Sequence, residues 1–222
     1  EIAKAAILKG LHVFAEKPLT ATLSQARELL RLAKKKKVTH CVDFLFPEIP
    51  AWKKVQELLD TEKYGKLVHI GVFWDFQSYD IKHKKKGWKT DAAQGGGALS
   101  FFFSHGLHYL ERFAGTIKDV RSSFVYSKKS LGGGEVGVDM LLTFKNGVRG
   151  TAHICCDRVG IHKHSLVFQC EDALITLENE NSHVDDFKIT VNTAKGEKRI
   201  PAGGRGNSRR EDGRVQVVRK MA

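Results

Sequence analysis

The sequence predicts an α/β unit that gives way, near residue 45, to an α+β domain with a large, mainly antiparallel sheet. Three observations carry that reading. The first forty-odd residues alternate strand-like and helical patterns at the spacing of a parallel strand–helix–strand unit. Beyond Arg112, strand follows strand with no helix between, which requires antiparallel or largely antiparallel pairing. Between two of those runs stands Asn146-Gly147, the strongest hairpin signal in the chain.

Taken in order, Glu1 to Lys9 reads as a helix with apolar Ile2, Ala5, Ala6 and Ile7, stopped at Gly10. His12–Ala15 is a short apolar run fit for a buried strand. Thr22 with Gln25 makes a capping box for a helix from about Leu23 to Lys37. Leu23, Ala26, Leu30 and Ala33 are expected to share its inner face, and Lys34–Lys37 sit where the helix dipole favours cations. Val38–Phe44 reads as a second strand. Pro50 to Glu62 is a helix, Leu67–Phe76 a strand, and the basic loop Lys82–Trp88 leads to Gly95–Gly97 and a helix through Arg112. Strands follow at Val120–Tyr126, Gly137–Phe144, Gly150–Cys156, His164–Gln169, Ala173–Leu177 and Phe187–Val191. Gly203–Arg210 reads as a mobile loop.

Composition narrows the function classes. With 222 residues, 41% hydrophobic and 28% charged, a buried core is expected and global disorder is not. No run approaches the ~18 consecutive apolar residues of a membrane-spanning helix, so no membrane partner is expected. Four cysteines, two of them adjacent at Cys155–Cys156, make no disulfide framework; reduced thiols and a cytoplasmic location are expected. Thirty-seven Lys and Arg against 25 Asp and Glu give a net charge of +12, which attracts anionic partners: nucleic acid, or a phosphorylated cofactor or substrate. The basic runs Lys34–Lys37, Lys82–Lys86 and Arg205–Arg214 read as a solvated helix end, loop and tail. They lack the interleaved aromatics of a nucleic-acid reader. The chain has no initiator Met, opens inside a helix and closes at Ala222 without a cap, so a fragment or truncated gene product is expected.

Three motifs invite a functional reading. Gly132, Gly134 and Gly137 satisfy G-x-G-x-x-G, but a dinucleotide fingerprint must open a helix, and Val138 to Phe144 alternate like a strand. The match is rejected as a glycine-rich turn. Glu16-Lys17-Pro18 falls at the C-terminal end of a strand, where ligands bind in open α/β sheets. A lysine there can donate to a developing alkoxide or shuttle a proton. Its bland alternative is a solvated charge pair, and a cis Lys17–Pro18 bond is expected. Gly95-Gly96-Gly97 opening a helix leaves backbone N–H groups for an anion or substrate oxygen. His105, two to three turns on, suits acid–base catalysis; the alternative is a histidine hydrogen-bonded beneath a sheet. His105 and His108 at i, i+3 have no third ligand in sequence, so no metal is expected.

Together these pieces resemble one family. Gly10-Leu11-His12-Val13-Phe14-Ala15-Glu16-Lys17-Pro18-Leu19 is similar to the "GKHVxxEKPxA" segment of the glucose–fructose oxidoreductase / inositol dehydrogenase (Gfo/Idh/MocA) oxidoreductases. Trp88-Lys89-Thr90-Asp91, Gly95 to Leu99 and Ser104-His105 resemble its "GGG-A-L-x-D-x-G-x-H" segment. Pro50-Ala51-Trp52, Tyr64-Gly65-Lys66 and Asn146-Gly147 fall in the family's order, and the likeness runs from about residue 1 to 215. It implies the C-terminal remnant of a Rossmann domain over residues 1–46, then an α+β substrate-binding and oligomerisation domain with an open sheet over 47–222. It also implies an NAD- or NADP-dependent dehydrogenase acting on a sugar, polyol or similar small molecule, as a homo-oligomer through that sheet.

By the same resemblance Lys17 and His105 would be the catalytic pair in one cleft, and Glu16, Lys17, Pro18 and Trp88 would meet the cofactor. Lys17, Phe46, Phe101 and His105 would meet the substrate. The sequence departs from the family in three places. The glycine-rich phosphate loop and the acidic ribose reader are absent; Phe101 stands where a carboxylate precedes the histidine by four residues; and Phe44-Leu45-Phe46-Pro47-Glu48 is more apolar than usual. A substrate with apolar surface accounts for the last two. So does a non-catalytic member serving as a ligand-binding or scaffolding subunit, the first rival. The second is a basic nucleic-acid-binding protein.

Overall fold

In a computed structural model, residues 1–184 and 186–202 are described. The expected loop at Gly203–Arg210 and the basic run Arg205–Arg214 lie outside them. The described chain divides into two compact units, Glu1–Glu48 and the residues from Ile49 onward.

In the first unit, α1 (Ile2–Leu8), β1 (Val13–Ala15), α2 (Leu23–Lys36) and β2 (His40–Val42) form a parallel strand pair with flanking helices. Val13, Phe14 and Ala15 register against His40, Cys41 and Val42. Thr22 caps α2 as the sequence predicts, its Oγ1 accepting from the Gln25 N–H at 3.3 Å. Lys37 ends it in the left-handed region, returning its N–H to Ala33 and Lys34. The inner stripe of α2 keeps Ala33 from the expected face but not Leu23 or Leu30. Ile7, Ala33 and Val38 form the buried centre with Leu29, Leu32 and Val13 packed on it, while Leu23 is 65% exposed. The i, i+3, i+4 set 29–32–33 is rotated from the 23–30 set, because α1 and the end of β2's lead-in meet the helix there. β2 is also shorter than Val38–Phe44: among the described residues it pairs with β1 alone, which offers three residues.

The second unit begins with α3 (Pro50–Asp60), whose Pro50 sits where a missing N–H costs nothing. Next come β3 (Leu67–Asp75), the single turn α4 (Tyr79–Lys82), a 3-10 turn at Ala92–Gln94, a π turn at Ala98–Phe102 and α5 (Ser104–Ala114). Seven further strands follow: β4 (Ile117–Val125), β5 (Gly137–Phe144), β6 (Arg149–Cys155), β7 (Lys163–Cys170), β8 (Leu174–Asn179), β9 (Lys188–Thr193) and β10 (Gly196–Ile200). They build one eight-stranded sheet in the order β10-β9-β8-β7-β3-β6-β5-β4, antiparallel except for β3 and β6.

Alternation sorts the two faces. Ile70, Val72, Ala152, Ile154, Val138, Leu142, Leu166 and Phe168 point to the helix side and are buried. There Trp52 of α3, fully buried, packs on Tyr109 and Phe113 of α5 with ring centroids at 4.9 and 5.8 Å, and Phe113 meets Phe168 at 4.9 Å. The other face carries Phe73, Leu141 and Val167 among Gly71, Thr151 and Ser165, lining a shallow depression of about 610 Å³. On that face His153 bridges strands, with Nδ1 2.6 Å from Asp139 and Nε2 2.9 Å from Asp75.

The hairpin at Asn146-Gly147 joins β5 to β6, with Gly147 at φ +90° and the Asn146 Oδ1 accepting from the Val148 N–H. Two strands depart from expectation. β4 starts at Ile117, and β10 was not anticipated, because its Glu197-Lys198-Arg199 edge run carries no apolar alternation. All four cysteines are free thiols, and burial beside Cys155 pushes the Cys156 thiol up to about 12. Among the described residues no helix is long and apolar enough to cross a membrane.

Candidate active site

In the first unit β1 stops at Ala15, whose carbonyl accepts from the Asp43 N–H at 2.8 Å. Glu16 beyond it is exposed and Lys17 half-buried, with the expected cis Lys17–Pro18 bond. The lysine therefore stands at the C-terminal end of a parallel strand. Phe46 lies in a 3-10 turn, Phe46–Glu48, and is 6% exposed.

In the second unit the glycine segment behaves otherwise than the sequence suggests. The expected helix from Gly95 to Arg112 is broken: a π turn occupies Ala98–Phe102 and α5 starts at Ser104, so His105 is the second residue of its helix, not two to three turns in. The N–H groups expected to await an anion are already used. Gly96 donates to the Asp91 carbonyl at 2.9 Å, Gly97 to Lys89 at 3.0 Å, Ala98 to the Glu135 carbonyl at 2.9 Å, and Leu99 to the Glu135 carboxylate at 3.0 Å. Glu135 thus serves as the turn's own internal anion.

Gly97 has φ +147°, and a Cβ there would collide with the Glu135 carboxylate. Gly97→Ala is expected to cost about 1–3 kcal/mol or more, from backbone strain plus that collision. Urea denaturation measures the loss, and Gly133→Ala, where a Cβ meets open space, is the control for backbone strain alone. The G-x-G-x-x-G match is a packing turn, as predicted. Gly132 accepts from Ala92 at 3.1 Å, Gly134 donates to Thr90 at 2.9 Å, and β5 follows.

His105 is 7% exposed. Its electrostatic neighbour is His164 on β7, fully buried in a ring box. Trp74 stacks on His164 with centroids at 4.3 Å and planes 4° apart, Phe187 meets it edge-on at 5.3 Å, and the Tyr109 hydroxyl lies 3.1 Å from its Nε2. Burial raises the Tyr109 pKa well above the usual value, so the phenol keeps its proton while it shares a hydrogen bond with Nε2. Burial first, then His105 and His162, hold the His164 pKa well below the ordinary imidazole value. His164 is a neutral partner under the acid–base candidate. Tyr109 reaches it from one turn beyond His105 on α5. The pKa of half-buried His108 is lowered by burial and by Arg112. Among the described residues no group of three His, Cys, Asp or Glu side chains is placed to hold a metal.

Two residues singled out from sequence meet directly. Trp88, 45% exposed, packs edge-on against Phe101 at 5.3 Å, and Phe101 continues through Phe102 at 4.7 Å toward Phe76 and Trp74. Lys17 and Phe46 lie in the first unit, and Trp88, Phe101 and His105 in the second. Sequence reasoning missed Tyr109, His164, Lys89 and Glu135. Tyr109 carried a signal, being four residues after His105. His164 and Glu135 carried none, because only the folded sheet brings them to the turn and the helix.

Comparison with known proteins adds to this geometry. Residues 1–44 match the profile described as "Oxidoreductase family, NAD-binding Rossmann fold", and residues 52–197 match the "GFO/IDH/MocA C-terminal domain". An uncharacterized oxidoreductase of Synechocystis sp. is 37% identical over 123 residues, which is 55% of this chain and 33% of that protein. D-xylose dehydrogenase of Paenarthrobacter nicotinovorans is 34% identical over 124 residues, 54% of this chain and 31% of that protein. Levoglucosan dehydrogenase in complex with NADH and levoglucosan shares the fold at a TM-score of 0.83 and 18% identity, over 99% of this chain and 66% of that one. The matched segments thus span about a third of the curated relatives, and the chain about two thirds of the solved structure.

Proposed function

The chain belongs to the GFO/IDH/MocA family of oxidoreductases, and from that premise we propose that it is the catalytic-lysine segment and substrate domain of an NAD- or NADP-dependent dehydrogenase acting on a carbinol of a sugar or polyol. The observation that carries this reading is Lys17 at the C-terminal end of β1, inside the stretch that matches the NAD-binding fold. The solved structure with NADH and levoglucosan supports the cofactor and the sugar class.

The residues of the first unit suit the nicotinamide end of such a cofactor, with a half-buried ammonium at a strand terminus between Glu16 and Pro18; Trp88, expected from the sequence as a further contact, lies in the second unit. Among the described residues no glycine loop opens a helix to take a pyrophosphate. We therefore expect the 222 residues alone to be inactive. Bound NAD or NADP supplies the two-electron acceptor. The Lys17 ammonium donates to the substrate oxygen and stabilises negative charge on it as the C–H bond is lost. His105 accepts the hydroxyl proton as general base and returns it in the reverse direction. His164, kept neutral, adds no positive charge to oppose the imidazolium that forms on His105.

Residues 1–46 and 47–222 are taken as the cofactor and substrate domains, in a cytoplasmic protein. The uncovered sheet face bearing Phe73, Leu141 and Val167 is the proposed contact with a second copy. Phe101, in place of the carboxylate, is the observation that favours the rival reading of a non-catalytic subunit. Steady-state assay of the full-length protein with NAD and NADP against a panel of sugars and polyols decides between them: turnover with any supports the dehydrogenase, and none supports the rival.

A further inference from the structure

The two outer strands of the eight-stranded sheet differ. β10 has five residues and presents Glu197-Lys198-Arg199, the short and charged kind of edge that resists pairing. β4 has nine residues, and among the described residues it pairs with β5 alone. Every residue from Lys118 to Phe124 is exposed. The β5 register sorts the side chains of β4 by face. Val120 and Phe124 stand opposite Leu142 and Val138, on the helix side, yet stay 46% and 44% exposed. Asp119 and Arg121 stand opposite Thr143 and Leu141, on the open side. Among the described residues neither Asp119 nor Arg121 forms an ion pair. Opposite charges two positions apart on one face make a strand self-complementary. Laid antiparallel to a copy of itself about Val120, β4 sets Asp119 against Arg121 of the copy and Arg121 against Asp119 of the copy. Val120 then meets its own counterpart, and Lys118 meets Ser122. The shift in the β5 register between Ile117 and Asp119 marks where that ladder ends.

We propose that β4 is a docking edge for a second copy of this chain: the two strands pair antiparallel about Val120, joining the two sheets edge to edge, and a pair of Asp119–Arg121 contacts sets the register. Main-chain hydrogen bonds supply the attraction and the side chains choose the alignment. The contact is separate from the open face, because Val120 points to the opposite side of the sheet, and it does not depend on the dehydrogenase reading. A ladder this short makes a weak, concentration-dependent dimer.

Val120→Cys in the 222-residue chain tests it, by mild oxidation, non-reducing electrophoresis and peptide mass mapping that sets aside the native thiols. Directly opposed residues of an antiparallel pair have Cα atoms about 4.5–5.5 Å apart, within disulfide reach. A disulfide between the two introduced thiols is therefore expected. Phe124→Cys, on the same side of the strand, is expected to give none, because this register holds its two copies about 27 Å apart. Adding Arg121→Asp to Val120→Cys faces acid with acid and is expected to slow the cross-link about tenfold. Mixing that variant with Val120→Cys carrying Asp119→Arg is expected to restore it, as a mixed dimer. No cross-link at position 120, an equal one at 124, indifference to Arg121→Asp, or no recovery on mixing overturns the proposal.

Discussion

Lys17→Met in the full-length protein is expected to lower kcat by about 10²- to 10⁴-fold, the range that a positioned proton donor contributes. Methionine keeps the length of the stem and removes the ammonium, so the loss reports charge and proton, not packing. KM is expected to change far less, because the donor's interaction strengthens as negative charge grows on the oxygen in the transition state. Steady-state kinetics on matched preparations provide the measurement. A variant within a few-fold of the parent would assign Lys17 to a solvated strand end, the bland reading of Glu-Lys-Pro.

The second large effect concerns stability beneath His105. Because burial and neighbouring imidazoles hold the folded His164 pKa below its unfolded value of about 6.5, the unfolded chain binds the proton more readily. The stability from keeping His164 neutral is therefore fully present above pH ~6.5 and is lost as pH falls toward and through the folded value. Thermal unfolding of the 222-residue chain between pH 7.5 and 4.5 is expected to show that decline.

His164→Phe should flatten this pH dependence yet lower stability at pH 7.5 by about 1–3 kcal/mol, since the buried Tyr109 hydroxyl loses its hydrogen-bond partner. Adding Tyr109→Phe should recover most of that loss while keeping the flat profile, because removing both partners leaves nothing unsatisfied. An unchanged pH slope in His164→Phe would place the acid sensitivity elsewhere.

Much of the architecture was legible because its signals are local. Thr22 announces a helix start through a bond to a residue three positions on, and Asn146-Gly147 announces a hairpin through the left-handed backbone glycine tolerates. The alternation of Val138, Met140, Leu142 and Phe144 states which face of β5 meets the helices. What stayed hidden depends on distant partners. The glycine turn looks like an open anion cradle until Glu135, 36 residues beyond Leu99, is seen filling it. Leu23 and Leu30 look like core until Ile7 and Val38 select the neighbouring stripe of α2. His164 looks like one more polar residue in a strand until Trp74 and Tyr109 close over it. β10 carries charges because it is an edge, and edges do not alternate.

The central claim, that Lys17 and His105 act on one substrate hydroxyl, is tested most directly by a double-mutant cycle in the full-length protein. The quantity is kcat/KM for Lys17→Met, His105→Asn and the two combined, under one set of conditions. Groups that handle a single proton work as a unit, so the combined variant is predicted to be little slower than the worse of the singles. A combined loss equal to the product of the two separate losses would mean that the ammonium and the imidazole act independently, and the claim would fail.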